Sequence, residues 1–361
     1  MYKTWACKAA ISVMIAALLL FLFFPVCRVL AWDFAASAGF GYDDNPGREA
    51  DGEESFFTVY HLGCAKRFPV FEKFDLHALT SLYADYQDLV EVGDNFTGGF
   101  ILQVVSPFWQ GKGLATFFIN PELYRDHYSR EDEVNSVTMG LETTYFLTSS
   151  LDLSGKVQVS YYNYCHKMIP FSGHGRRREG TYQLPVYQDS LSTGGLLSAT
   201  RENRGDGDAS ALPGQSSGHG VGKDFYKVPA DREDWLTLGE LSLKKMLLES
   251  LSLHMGASYR HMHSTINLES LDGIGVNAGL DWLPVDVWSF SLAGWWLKRL
   301  YDRAPGGNNR HDYERGARLS LTRSWEKFDL FADFMMVRNQ SPVDSEDYRR
   351  NIIQCGATFL F

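Results

Sequence analysis

After Trp32 the chain has no apolar run long enough to form a membrane helix, which needs about 20 residues. It lacks a phosphate-binding glycine loop, the strained serine turn of hydrolases and any Cys or His spacing suited to zinc. Neither an enzyme activity nor a cofactor is expected from such an inventory. Cysteine is scarce too: Cys7 and Cys27 fall in the first 31 residues, leaving Cys64, Cys165 and Cys355. An odd number cannot all pair internally. Cys64 and Cys355 fall on apolar faces, so they read as small lipid-facing residues. Basic residues are in deficit, with 34 Lys and Arg against 44 Asp and Glu, a net charge of −10. That balance disfavours nucleic acid as a partner.

Acid is missing altogether from the first 31 residues. Lys3 and Lys8 precede an apolar run from Ala9 to Phe24, Pro25 breaks it, and Val29-Leu30-Ala31 precedes Trp32. The pattern predicts a secretory signal peptide over 1–31, with 32–361 as the exported part. An uncleaved anchor is the alternative, but a run of roughly 16 residues is short for a span. Cys27, in Phe-Pro-Val-Cys, departs from a lipid-attachment box.

What the chain has in quantity is aromatic side chains, 18 Tyr and 9 Trp, alongside 33 Gly. Tyr and Trp favour places where one end of the side chain is dry and the other wet. The remaining hydrophobic residues alternate. From Leu151 to Tyr162 the odd positions are mainly apolar and the even positions mainly polar, which is a strand with one dry and one wet face. It is longer than the five or six residues usual in soluble proteins and long enough to cross a bilayer. The same pattern predicts fourteen strands: 33–42, 55–66, 73–87, 96–106, 113–125, 134–147, 151–165, 234–247, 251–264, 272–282, 287–301, 311–324, 327–338 and 349–361. An even count suits an all-β, antiparallel up-and-down transmembrane barrel. Twelve or sixteen strands are the alternatives, the latter if 182–188 and 225–228 add a hairpin.

The links sort into two kinds. Short ones at 147–150, 248–250, 283–286 and 324–327, and slightly longer ones near Pro69 and Pro107, alternate with longer polar ones at 43–54, 89–95, 126–133, 167–233, 302–310 and 340–348. Short turns on one side and long loops on the other are the outer-membrane arrangement. Phe108, Trp109, Trp282, Trp288 and Trp325 cluster by the short turns, while Tyr42, Tyr86, Tyr161, Trp235, Tyr259, Tyr301 and Tyr313 lie toward the long loops. Two such belts mark the two interfaces of a bilayer. The expected location is therefore the outer membrane of a Gram-negative bacterium, in contact with its lipid and lipopolysaccharide.

Two resemblances follow. The final strand, NIIQCGATFLF, places Phe361 and Phe359 on the lipid face and resembles the signal that the barrel assembly machinery reads in its clients. The first hairpin, with Tyr42, Asp43 and Asn45 in a Tyr-Asp-x-Asn pattern before an acidic loop, is similar to the barrel domain of surface lipoprotein assembly modifiers. That likeness implies a barrel of about fourteen strands and a role in exporting surface proteins. That family carries a helical repeat domain before its barrel, whereas here the barrel is expected to begin almost at the predicted cleavage site.

Function is expected in the lumen and loops. Alternation turns Glu122, Glu142, Lys156, Gln158, Glu240, Lys244, Arg260, Asp281, Arg318, Asp329 and Asp333 inward, together with His61, His77, Asp85, Gln103, Asn120, His254 and Asn277. A lumen bearing both signs either passes small polar solutes through a transverse field or closes itself by pairing. The first reading is a porin-like transport channel. The second is a non-conducting barrel acting in surface protein assembly, secretion or adhesion through its loops. Loop 167–233 carries Arg176, Arg177 and Arg178, which could face lumen solutes or lipopolysaccharide. His261 and His263 share a face and could begin a metal site, but two ligands leave it incomplete. The Tyr42 to Asn45 turn offers oxygens that calcium could use.

Overall fold

The computed structural model describes residues 32–46, 54–71, 76–89, 93–126, 133–164, 168–172, 225–229, 232–265, 270–285, 287–302, 310–343 and 346–361. The expected signal peptide over 1–31, the arginine triplet 176–178 and most of loop 167–233 lie outside these residues. In chain order the strands are β1 (Asp33–Asp43), β2 (Ser55–Phe71), β3 (Leu76–Leu89), β4 (Gly93–Phe108), β5 (Gly113–Asp126), β6 (Val134–Thr148) and β7 (Leu151–Tyr164). Then come β8 (Met168–Ser172), β9 (Phe225–Pro229), β10 (Arg232–Leu248), β11 (Leu251–Ser264), β12 (Leu271–Val285), β13 (Trp288–Tyr301), β14 (Arg310–Ser324), β15 (Phe328–Gln340) and β16 (Tyr348–Leu360). All but β8 and β9 form one closed antiparallel barrel, each strand paired with its sequence neighbours and β16 with β1. Closure leaves no unpaired strand edge, as a bilayer demands of any sheet that crosses it.

The barrel has fourteen strands. β8 and β9 pair with each other, Met168 opposite Pro229 and Ser172 opposite Phe225, as a separate two-stranded sheet. Residues 225–228 therefore find their partner in 168–172 and add no staves to the wall. Link lengths also differ from expectation. β2 runs through Pro69 to Phe71, and β3 and β4 are separated only by residues 90–92. The expected long link at 89–95 thus reduces to the three positions between Leu89 and Gly93.

One internal proline disturbs the wall. Pairing of β4 with β5 runs from Asn95–Asp126 to Gly99–Glu122 and resumes at Leu102–Ile119, leaving a gap opposite Pro121. Proline has no N–H to give to the ladder.

Directly opposite residues in an antiparallel ladder point to the same side, so the register fixes both faces of the wall. The outer face carries Leu241, Met255, Val276, Leu292, Leu319, Leu330 and Ile353, all exposed. A contiguous exposed apolar surface on this scale belongs in lipid. Cross-strand aromatic pairs bound it. Toward the long links lie Tyr42–Phe56 at 5.3 Å, Tyr161–Trp235 at 4.8 Å and Trp296–Tyr313 at 6.2 Å between ring centroids. Near the turns lie Trp282–Phe290 at 5.4 Å and Trp325–Phe328 at 4.5 Å. The protein is a transmembrane β-barrel of the bacterial outer-membrane type. Tyr301 departs from the expected belt: its register with Arg310 turns it inward, and the Arg310 guanidinium stacks 4.3 Å from its ring.

The closing seam is narrow because small residues line it. A Cβ on Gly356 would stand 2.3 Å from the Ala38 carbonyl oxygen and 2.7 Å from the Gly39 Cα. Backbone cannot swing aside. Gly356→Val is therefore expected to lower barrel stability by about 1–3 kcal/mol, read as an earlier midpoint in urea unfolding. Gly316→Ala is the control. The atoms nearest its Cβ belong to the Trp295 ring, at 2.1 Å, and a side chain can rotate, so the loss should be smaller.

Candidate functional site

The lumen divides into two halves. Toward the turns its inward side chains remain in contact with solvent, with Glu142 and Lys244 exposed. Toward the long links they are buried on every barrel strand, from Ser55, Phe57 and Val59 on β2 to Tyr348, Arg350 and Ile352 on β16. The lumen is thus open to solvent on the turn side and packed with side chains near the opposite rim.

Two apolar groups contribute to that packing. Phe57, Val59, Leu89, Met335 and Ile352 form one, with Trp295 and Val337 against it. Tyr124, Val134, Tyr162 and Tyr164 form the other, joined by Leu236. Alternation applied to the polar residues alone misses these rings, because an inward aromatic residue looks in sequence like an outward one.

Between the apolar groups stand ion pairs, and one constellation is built twice. On β10, Arg232 reaches two residues along to Asp234, with Nη2 to Oδ2 at 2.7 Å. Tyr164, opposite Arg232 on β7, lies 4.4 Å beneath the guanidinium. Ser264, opposite Asp234 on β11, donates to its carboxylate at 2.5 Å. On β14, Arg310 reaches Asp312 with Nε to Oδ1 at 2.9 Å, Tyr301 lies opposite on β13, and Ser341 donates to Asp312 at 2.7 Å. Glu346 adds a second carboxylate 3.4 Å from Arg310, and burial pushes its pKa above the usual carboxylate range. An Arg two residues before an Asp puts both on one face of a strand, so this much was readable from Arg232-Glu233-Asp234 and Arg310-His311-Asp312.

A third buried pair closes the barrel. Arg350 on β16 holds Asp43 on β1 with Nε to Oδ2 at 2.9 Å and Nη2 to Oδ2 at 2.5 Å. Here the Tyr-Asp-x-Asn pattern of the first hairpin acquires a physical reason. Tyr42 faces lipid in the aromatic belt, and Asp43 takes Arg350. Asn45 donates its backbone N–H to Asp43 Oδ1 at 3.0 Å and its side-chain amide to the Arg349 carbonyl at 2.9 Å. Asp44 accepts from Asn351, also on β16. These carboxylates are committed to the seam, which is a different use from the calcium turn considered above. A fourth pair, Arg299 with Glu314, stands beside Trp295, whose indole N–H donates to Glu314 at 3.0 Å.

The solvent-filled half holds most of the polar residues singled out by alternation. Register turns Glu122, Glu142, Lys156, Gln158, Glu240, Lys244, Arg260, Asp281, Arg318, Asp329 and Asp333 toward the lumen. Several have partners across the wall. Tyr83 donates to Glu122 at 2.5 Å, and His61 Nδ1 meets Asp85 at 2.5 Å. Ser291 donates to Asp281 at 2.8 Å. Asp333 accepts from Arg318 and from Gln354, each at 3.1 Å, and from Ser320. Lys156 lies 5.6 Å over the Phe118 ring. These contacts fix charges of both signs to a rigid wall around a hydrated space.

His261 and His263 stand apart from all this. Their register puts them on the lipid side, where His261 Nδ1 meets Asp272 at 2.9 Å and Tyr259 donates to the same carboxylate at 2.6 Å. Among the described residues no group of three or more His, Cys, Asp or Glu is placed to hold a metal ion.

No protein-family model matches the chain, and no curated protein matches it by sequence. Solved structures similar to it include outer-membrane expressed OmpT of Vibrio cholerae, at 7% identity and a TM-score of 0.45, covering 93% of this chain and 100% of that one. The outer membrane channel DcaP of Acinetobacter baumannii is similar at 10% identity and a TM-score of 0.45, covering 92% and 96%. An anion-selective porin from Comamonas acidovorans is similar at 8% identity and a TM-score of 0.41, covering 92% and 99%.

Proposed function

We propose that the protein is an outer-membrane channel for small polar solutes. Its periplasmic half is a vestibule of mixed charge, and its outer half is a restriction built of ion pairs and aromatic rings. The observation that supports this reading is the division of the lumen itself. Solvent-exposed Glu142 and Lys244 lie on the turn side, and buried polar pairs rather than a continuous apolar plug stand toward the other rim. Fixed charges lining a hydrated path orient polar solutes and repel apolar ones.

The depth of burial supports a second reading. Arg232 and Asp234 have 0% of their surface exposed, and a rim sealed that well suits a barrel that acts through its loops in surface protein assembly or adhesion.

Reconstituting the chain from Trp32 onward in a planar bilayer separates the two. Reproducible open levels are expected. A folded, heat-modifiable barrel that stays silent across voltages would overturn the channel. If current flows, Glu142→Gln should move the reversal potential toward anion preference and Lys244→Gln toward cation preference. Both changes should fade at high salt, where lumen charges are screened.

A further inference from the structure

Three arginines stand in one row on the outside of the barrel. Arg315 on β14 lies directly opposite Arg338 on β15, and Arg338 directly opposite Arg349 on β16. All three belong to the lipid-facing parity, with Met336 and Ile353 as exposed neighbours below them. Trp296 on β13 continues the row, being opposite Arg315, and Lys298 stands above it, 5.7 Å over the Tyr313 ring.

Height matters as much as order. On β15 the outward positions from Phe328 to Met336 are apolar, and Arg338 is the first charge above them. Ten residues at about 3.4 Å each, on a strand tilted by roughly 40°, rise about 26 Å, close to the apolar thickness of an outer-membrane barrel. The row therefore stands at the head-group level of the outer leaflet.

Like charges directly opposite one another destabilise a sheet. Among the described residues little offsets this. Asp347 takes Arg338 at 2.5 Å, Asp44 is held by Asn351, and among the described residues no carboxylate pairs with the exposed Arg315 or Arg349. Two further outward carboxylates are engaged by tyrosines, Glu54 accepting from Tyr42 and Asp94 from Tyr86. A fork of guanidinium donors at opposed positions is suited to phosphate, which each arginine can grip bidentately.

We infer that the Arg315–Arg338–Arg349 row is a binding site for the phosphate groups of lipopolysaccharide in the outer leaflet, with Trp296 against the lipid at its edge. The inference does not depend on whether the lumen conducts.

The test uses the detergent-folded barrel, purified lipopolysaccharide and the same lipopolysaccharide after enzymatic dephosphorylation. Wild type should bind the phosphorylated form at least tenfold more tightly than the dephosphorylated one. The triple variant Arg315→Gln/Arg338→Gln/Arg349→Gln should lose that preference. Equal affinity of wild type and variant, or equal affinity for the two lipids, overturns the site. Competition by inorganic phosphate as effective as by lipopolysaccharide overturns the lipid as its occupant. Should the triple variant fail to fold, Arg315→Gln/Arg349→Gln leaves the Arg338–Asp347 pair intact and should still weaken binding several-fold. Unchanged affinity in that double variant would equally sink the proposal.

Discussion

Arg350→Ala is expected to lower the unfolding free energy of the bilayer-embedded barrel by about 3–5 kcal/mol, because it strands the Asp43 carboxylate without its cation. Asp43 is 1% exposed and cannot recover the loss by turning to water. The pair also spans the seam between the first and last strands, where Phe34 and Phe361 exchange backbone hydrogen bonds at 3.2 and 2.9 Å. Urea unfolding followed by tryptophan fluorescence reads the change. Arg350→Ala/Asp43→Ala should cost less than the two single changes together, since it leaves no buried charge behind. A single variant as stable as wild type would mean that the seam is held without this pair.

The second large effect should appear in current. Arg299 and Glu314 pair at the restricted end of the lumen, both largely buried. Removing both at once leaves no unpaired ion, so the barrel should keep its fold. Arg299→Ala/Glu314→Ala clears two long side chains from the narrow part of the path, and single-channel conductance should rise by about twofold or more. Glu142→Gln, in the wide vestibule, should leave conductance nearly unchanged while altering selectivity. An equal conductance in wild type and double variant would place the limit to flow away from the outer half.

Phe359 and Phe361 remain the proposed contact for the assembly machinery. Phe361→Ser should reduce the fraction of heat-modifiable barrel in cells while the chain refolds normally in detergent. Reduced refolding in detergent as well would make the residue a structural one instead.

Much of this protein was legible from alternation. Period two between Leu151 and Tyr162 gives a strand because successive side chains point to opposite sides, and the register keeps that alternation along most of the wall, shifting near the turns at Pro69/Phe71, Phe146/Thr148, Met246/Leu248 and Trp282/Val285. Loops follow polarity less closely. The link after Leu89 looks longer in sequence because Asp94 and Asn95 are polar, yet Asn95 is a buried inward residue of β4. Polarity marks loops only where strands have a wholly apolar environment, and half of each strand here faces the lumen. Tyr301 is ambiguous in sequence for the mirror-image reason. A tyrosine near a strand end suits an interface belt equally well from either face, and only its register with Arg310 decided the matter.

Fold class and strand direction were set by the sequence alone, since each follows from residues adjacent in the chain and the length of a bilayer. Which charges would meet was decided only in three dimensions. Asp43 and Arg350 are separated by nearly the whole chain, and nothing local identifies either as the other's partner. The same holds for the arginine row: Arg315, Arg338 and Arg349 look like three unrelated loop-proximal cations until the register of two ladders lays them side by side. Closure of the barrel converts distance along the chain into contact, which is why the seam, the restriction and the outer row belong to the tertiary structure.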